Sequence, residues 1–167
     1  MGQERLGNSM IDSFSEEYFF LSNFYDSVVK FDGDSFRTVE HAYQAAKTLD
    51  EESRNKIRDA KSPGKAKRLG QKVDLRKDWE SIKINVMRDL LKQKFNPRSV
   101  LAERLLKTGD EQLVEGNDWG DKFWGVVDGK GANHLGYLLM EIRNDLKEYR
   151  ARVIAEDLER LSYMLME

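Results

Sequence analysis

The sequence predicts a mainly α-helical chain, α+β in detail, folded as a single compact multihelical domain with a small β element near the N-terminus. Three observations lead to that expectation. Most of the chain beyond residue 38 falls into segments with helical periodicity and recognisable caps. One short stretch, 25–38, is instead rich in aromatic and β-branched residues around an Asp-Gly turn. No repeat, linker or composition shift divides the 167 residues, a length that fits one domain. Hydrophobic residues make up 40% of the chain, enough for a sizeable core, and the 35% charged content describes a polar surface rather than disorder.

The elements follow in order. Residues 1–12 read as a flexible lead-in. Within "YFFLSNFYDSVVKFDGDSF", Tyr25–Phe31 and Ser35–Thr38 are strand candidates joined by "DGD". Thr38 is placed to cap a helix through "VEHAYQAAK". A second helix runs through "EESRNKIRDAK". In "SPGKAKRLG", Ser62 is the expected N-cap, Pro63 takes the first helical position and Gly70 lies near the end. "DWESIKINVMRDLLKQKF" sets Trp79, Ile82, Val86, Leu90 and Phe95 near one apolar stripe, and Asn96-Pro97 stops it. Another helix covers about 99–107 and ends by Gly109.

Gln112–Glu115 reads as a short strand. After it comes a loop with six glycines, Gly116 to Gly136, and two tryptophans; loops this long in compact domains tend to be functional. The rest closes as one or two helices. The domain is therefore expected over 13–149, with 150–167 as a helical extension whose Leu158, Leu161 and Leu165 either meet a partner or cover the domain.

Charge and composition exclude several classes. A formal charge of −2 argues against a whole-surface nucleic-acid binder while allowing a local basic pocket. Without cysteine there is no disulfide or thiolate metal site, and two histidines, His41 and His134, make a histidine-rich metal centre improbable. No metal and no cofactor is expected. The chain has no apolar run of about 18 residues, and its start, "MGQERLGNSM", lacks a signal-peptide core. A cytoplasmic protein is the resulting expectation, with no membrane partner.

The clearest chemical pattern lies on the helix after Thr38. At 100° per residue, Gln44 falls about 40° from Glu40 and Lys47 about 20° from it on the other side, with Tyr43 roughly 60° off that line. The rise from Glu40 to Lys47 is about 10.5 Å, too far for an ion pair but suited to flanking a small ligand. The bland alternative is also physical: Glu40 favoured by the helix dipole and Lys47 paired with Glu51.

Ser22, Asn23 and Phe24 set small hydrogen-bonding groups among aromatics, which suits a ring-stacking pocket or an ordinary turn. "KSPGKAKR" joins a helix N-terminus to Lys61, Lys65, Lys67 and Arg68, an anion site or simply solvated cations. Trp79 is a stacking surface or core. In the glycine-rich loop Asp121 or Asp128 could supply a carboxylate, and Asn133 either caps the last helix or touches ligand. "GKGANHLG" is not a P-loop, and no Ser/His/Asp or Cys/His set stands out.

Six stretches, "FLSNF" (20–24), "EHAYQAAK" (40–47), "SPGKAKRLG" (62–70), "DWESIKINVMRDLLKQKF" (78–95), "DKFWG" (121–125) and "NHLGYLLMEIR" (133–143), together resemble the NADAR family, which includes the YbiA-like N-glycosidases. They keep the family's order over about 14–148. Phe36 stands where the family often has tryptophan, and Gln71 where many members have arginine.

The resemblance implies cleavage of N-glycosidic bonds at ribose C1′. The substrate classes it implies are phosphorylated ribosylamino-pyrimidine intermediates of riboflavin synthesis and ADP-ribosyl-guanine in nucleotide or DNA. It maps Glu40 and Lys47 to the reactive positions. Ser22, Asn23, Phe24, Tyr43, Gln44, Arg68, Trp79, Trp124, Gly125, Asp128 and Asn133 are expected to meet substrate.

Two mechanisms are compatible with that set. In one, a neutral Lys47 forms a Schiff base at C1′ while Glu40 shuttles protons. In the other, Glu40 and Asp121 flank a direct displacement. The alternative from another class is a non-catalytic ADP-ribose or NAD sensor.

Overall fold

A computed structural model describes residues 9–166. Residues 1–8 of the expected lead-in lie outside the described residues. The elements are β1 (Met10–Ile11), a 3₁₀ helix (Glu16–Leu21), β2 (Val29–Phe31), β3 (Asp34–Phe36), α1 (Val39–Ala46), α2 (Glu51–Arg58), α3 (Pro63–Gly70), α4 (Trp79–Lys94), α5 (Val100–Lys107), β4 (Gln112–Leu113) and α6 (His134–Met164). The mainly helical reading with a small β component holds.

Helix α1 is the centre of the fold. All eight of its residues are buried, and α2, α3, α4 and the β2–β3 hairpin pack around it. Thr38 starts it as expected, its hydroxyl accepting the His41 amide at 3.1 Å. Ser62 and Ser99 cap α3 and α5 in the same way. The hairpin turns on Asp32 and Gly33, both at positive φ (48° and 84°), the pair of conformations a two-residue hairpin needs.

Where α3 crosses α1 the backbones come close. A Cβ on Gly70 would stand 2.0 Å from Gln44 Oε1 and 2.8 Å from Gln44 Cβ, so only glycine fits. Gly136 does the same for α6 against β4, where a Cβ would meet the Leu113 carbonyl at 2.1 Å.

The structure revises several element expectations. Met10–Ile11 is not loose lead-in: it pairs in parallel with Gln112–Leu113, because Ile11 and Leu113 both bury there. The strands of the hairpin are shorter than their aromatic content suggested. On α4 the buried face is Trp79, Met87, Leu90, Leu91 and Lys94, while Ile82 and Val86 are half-buried. The helix is wedged between α1, α6 and β2, which widens its covered arc beyond one stripe. The chain ends in one helix, α6, buried as far as Leu146 and exposed from Arg150 on. No helix among the described residues is long and apolar enough to cross a membrane.

Gly70→Ala forces α3 away from α1 and is expected to destabilise the fold by about 1–3 kcal/mol. A thermal melt should register about 2–4 °C of lost Tm for each kcal/mol.

Candidate functional site

A cleft of about 180 Å³ opens beside α1. Ser22, Asn23 and Phe24 enter it from the end of the 3₁₀ helix, and Glu40, Tyr43, Gln44 and Lys47 from α1. Lys67 comes from α3, Met87 from α4, Glu115, Trp119, Asp121 and Trp124 from the glycine-rich loop, and Leu135 from α6.

Helix α1 is fixed before it presents any group. The His41 ring lies 2.7 Å from the Thr38 hydroxyl through Nδ1 and 3.0 Å from the Ala60 carbonyl through Nε2. A carbonyl only accepts, so the proton sits on Nε2 and Nδ1 accepts from Thr38. One turn over, Gln44 Nε2 donates to Glu40 Oε1 at 2.7 Å, and the Glu40 amide donates to the Asn23 carbonyl at 3.1 Å.

Glu40 is buried, and burial pushes its carboxyl above the usual range against the opposing Gln44 bond and the Lys67 and Lys47 charges. The same cause acts on Lys47 in the opposite sense. Burial lowers its ammonium although Glu40 resists, and its Nζ rests 5.5 Å from the Tyr43 ring centroid. Burial thus moves the acid and the amine toward their uncharged forms together.

The aromatic wall is continuous. Tyr43 packs on Trp79 and Trp124, with centroids at 5.1 and 5.5 Å, and Trp124 Nε1 donates to the Tyr43 hydroxyl at 3.1 Å. Burial drives the phenol further up. Trp119, 58% exposed, stands at the mouth with the Lys67 amine 5.2 Å from its ring centroid.

The loop is ordered by isolated β-bridges, Gly116 with Val126 and Val127 with Lys130, and by side-chain bonds. Asn117 Oδ1 accepts the Asp121 amide at 2.9 Å, and Asn117 Nδ2 donates to the Asp121 carbonyl at 2.8 Å. Asp121 Oδ1 then accepts the amides of Phe123 (3.1 Å) and Trp124 (2.9 Å), which turns Trp124 inward.

Of the residues singled out from sequence, Ser22, Asn23, Phe24, Glu40, Tyr43, Gln44, Lys47, Asp121 and Trp124 line this one cleft. Five others do not. Trp79 is 4% exposed and serves as packing behind Tyr43. Arg68 is exposed, because the α3 face toward α1 carries Ala66 and Gly70. Gly125 is buried against the Glu115 carbonyl, where a Cβ would come within 2.2 Å. Asp128 is exposed in the Val127–Lys130 turn at φ 50°. Asn133 neither caps α6 with its side chain nor lines the cleft; it accepts the Glu115 amide at 3.0 Å and donates to the Leu113 carbonyl at 2.9 Å.

Lys67 was named from the sequence only among the cations of a possible anion site, and Met87, Glu115, Trp119 and Leu135 were not chosen. Glu115 had a usable signal: it is two residues beyond buried Leu113, on the same side of an extended chain. Lys67 follows Ala66 and precedes Gly70, the marks of the inward α3 face. Met87 and Leu135 are apolar walls with no chemical signature.

Burial, with Asp121 adding to it, raises the Glu115 carboxyl to about 7. Behind the cleft Lys94 is buried on α4, donates to the Ser22 carbonyl at 2.7 Å and is lowered by burial to about 7. One hydrogen bond does not offset the several kcal/mol of desolvating an ammonium, so the neutral amine competes.

The model of the NADAR domain matches residues 11–147. N-glycosidase YbiA of Escherichia coli (strain K12) is 45% identical over 137 residues, covering 80% of this chain and 85% of that protein. A riboflavin biosynthesis protein of Vibrio vulnificus (strain YJ016) is 38% identical over 137 residues, 80% of this chain but 37% of its own length. The NMR structure of the E. coli protein YbiA superposes with a TM-score of 0.77 at 42% identity, covering 89% of this chain and 91% of that one.

The Glu115 carboxyl gives a pH signature. Folded, it keeps a proton that the unfolded chain releases at 4.5, so its contribution to stability is complete below 4.5 and is lost as pH rises to about 7. Glu115→Gln carries no such loss. Its Tm relative to the parent should climb between those two pH values and level off above, as read by melts across a pH series.

Proposed function

The chain belongs to the NADAR domain family and is a hydrolase of the N-glycosidase type, and we propose that it breaks the bond between ribose C1′ and the nitrogen of a base in the cleft beside α1. The observation that supports this most directly is the convergence of Glu40 and Lys47 on one cleft walled by Tyr43 and Trp124. An N-riboside needs an apolar wall for its ring, a proton for its leaving nitrogen and a nucleophile at an aldehyde-level carbon.

Lys47 is the nucleophile in this reading. Once the ribose ring opens, the neutral amine attacks C1′ and forms a Schiff base that water later hydrolyses. The lowered ammonium supports that role, since a charged amine has no free electron pair. Glu40 moves the proton of the ring hydroxyl, and Gln44, bonded to Glu40, keeps it oriented. Asp121, fixed by two backbone amides, offers an anion opposite the developing positive charge. Ser22, Asn23 and Phe24 bind the sugar end.

For substrate, we favour a phosphorylated ribosylamino-pyrimidine, with Lys67 at the mouth as the cation for its phosphate. Relatives named for riboflavin biosynthesis in Vibrio vulnificus and Zea mays support that choice. ADP-ribosyl-guanine offers the same ribosyl nitrogen bond and is the second reading.

Incubation with each substrate class, followed by mass spectrometry of the products, identifies the base released. Borohydride added during turnover should leave a ribitol adduct on Lys47. Lys47→Ala should give neither adduct nor product, and Glu40→Gln should lower kcat about 10²–10⁴-fold. An unmodified Lys47 after trapping, or an active Lys47→Ala variant, removes the covalent mechanism.

A further inference from the structure

Glu115 takes no part in the steps above, yet its backbone is fixed on both sides. Its amide donates to Asn133 Oδ1 at 3.0 Å, and its carbonyl accepts from Val126 at 2.8 Å. Gly125 closes the remaining side, where a Cβ would stand 2.2 Å from the Glu115 carbonyl oxygen and 3.1 Å from its Cγ. The side chain lines the cleft, and its Oε2 is buried with no hydrogen-bond partner among the described residues. An ionised carboxylate kept dry and unpaired costs several kcal/mol. A proton, or a ligand that supplies a partner, removes that cost.

The other two carboxyl groups of the cleft are engaged. Glu40 Oε1 accepts from Gln44, and Asp121 Oδ1 accepts from two backbone amides. Burial without donors favours a neutral acid at Glu115. Three carboxyl groups thus occupy unlike environments, the arrangement that separates acid from base in one site.

Resting on the N-glycosidase reading, we infer that Glu115 is a further catalytic residue: the acid that protonates the departing base nitrogen. The Glu115 O–H proton passes to that nitrogen, and the electron pair of the breaking C1′–N bond leaves with it. C1′ takes its new bond from Lys47 Nζ. Water then replaces Lys47 at C1′ and returns one proton to the Glu115 carboxylate, so the cycle closes on base plus free sugar. Glu40 is left to work on the ring hydroxyl alone, which divides two proton transfers between two acids.

The groups facing Glu115 come from four directions. Asp121 in the loop and Glu40 on α1 hold its proton on, while Lys67 on α3 and Lys94 on α4 act against them. Burial is the largest of these causes.

The test compares kcat and KM from pH 5 to 9 for the full chain, Glu115→Gln and the shorter acid Glu115→Asp, on whichever N-ribosyl substrate the wild type hydrolyses. Wild-type kcat should fall above about pH 7, where Glu115 loses its proton. Glu115→Gln should lose about 10²–10⁴-fold in kcat and this alkaline limb, with KM within threefold. Glu115→Asp should recover part of the rate and shift the limb. Glu115→Gln with kcat within threefold of wild type overturns the inference. So does a slowed variant that keeps the same limb, or a Glu115→Asp variant no faster than Glu115→Gln. Absence of base release by the wild type from either substrate class overturns the N-glycosidase reading instead, which separates the two failures.

Discussion

The burial of a polar helix governs this molecule. Helix α1 carries Glu40, His41 and Gln44, all of them buried. Each must therefore find its partner inside the protein. His41 spans Thr38 and Ala60, Gln44 turns back on Glu40, and α3 offers Gly70 because any larger residue would displace the amide. The surrounding structure partners His41 on both ring nitrogens and Gln44 through its Nε2, while Gln44 Oε1 stays buried without a partner among the described residues.

The chemistry of the cleft follows from the same enclosure. Removing solvent acts on an acid and an amine in opposite directions, raising Glu40 and lowering Lys47. Their mutual attraction opposes both shifts, but in each case burial is the larger cause. Tyr43, Trp79 and Trp124 maintain that low-dielectric wall, and the Trp124–Tyr43 hydrogen bond ties the loop to α1. A surface pair with the same spacing would have stayed fully charged.

Local signals in the sequence were informative and distant ones were not. Caps at Thr38 and Ser62 were legible because each is a bond between residues three apart. The line Glu40–Gln44–Lys47 was legible because helical geometry alone aligns it. The pairing of Met10–Ile11 with Gln112–Leu113 was not, since two residues on each side leave no pattern. Lys94 carries no local mark of burial, yet it continues the buried α4 face, because burial depends on what packs there. Arg68 was expected to meet substrate and Lys67 lines the cleft instead; one residue on a helix is about 100° of rotation, and that angle decides which side chain meets the cleft.

The β1–β4 pairing and the Asn133 bridge have a consequence for synthesis on the ribosome. The loop that bears Glu115, Asp121 and Trp124 is anchored at one end by residues from the very start of the described chain and at the other by the beginning of α6. A growing polypeptide can build α1 through α5 early, but it holds an unfinished cavity until the segment after Gly131 emerges. Chaperone or protease encounter with that partial product would meet an open, apolar recess, and the final helix is what shuts it.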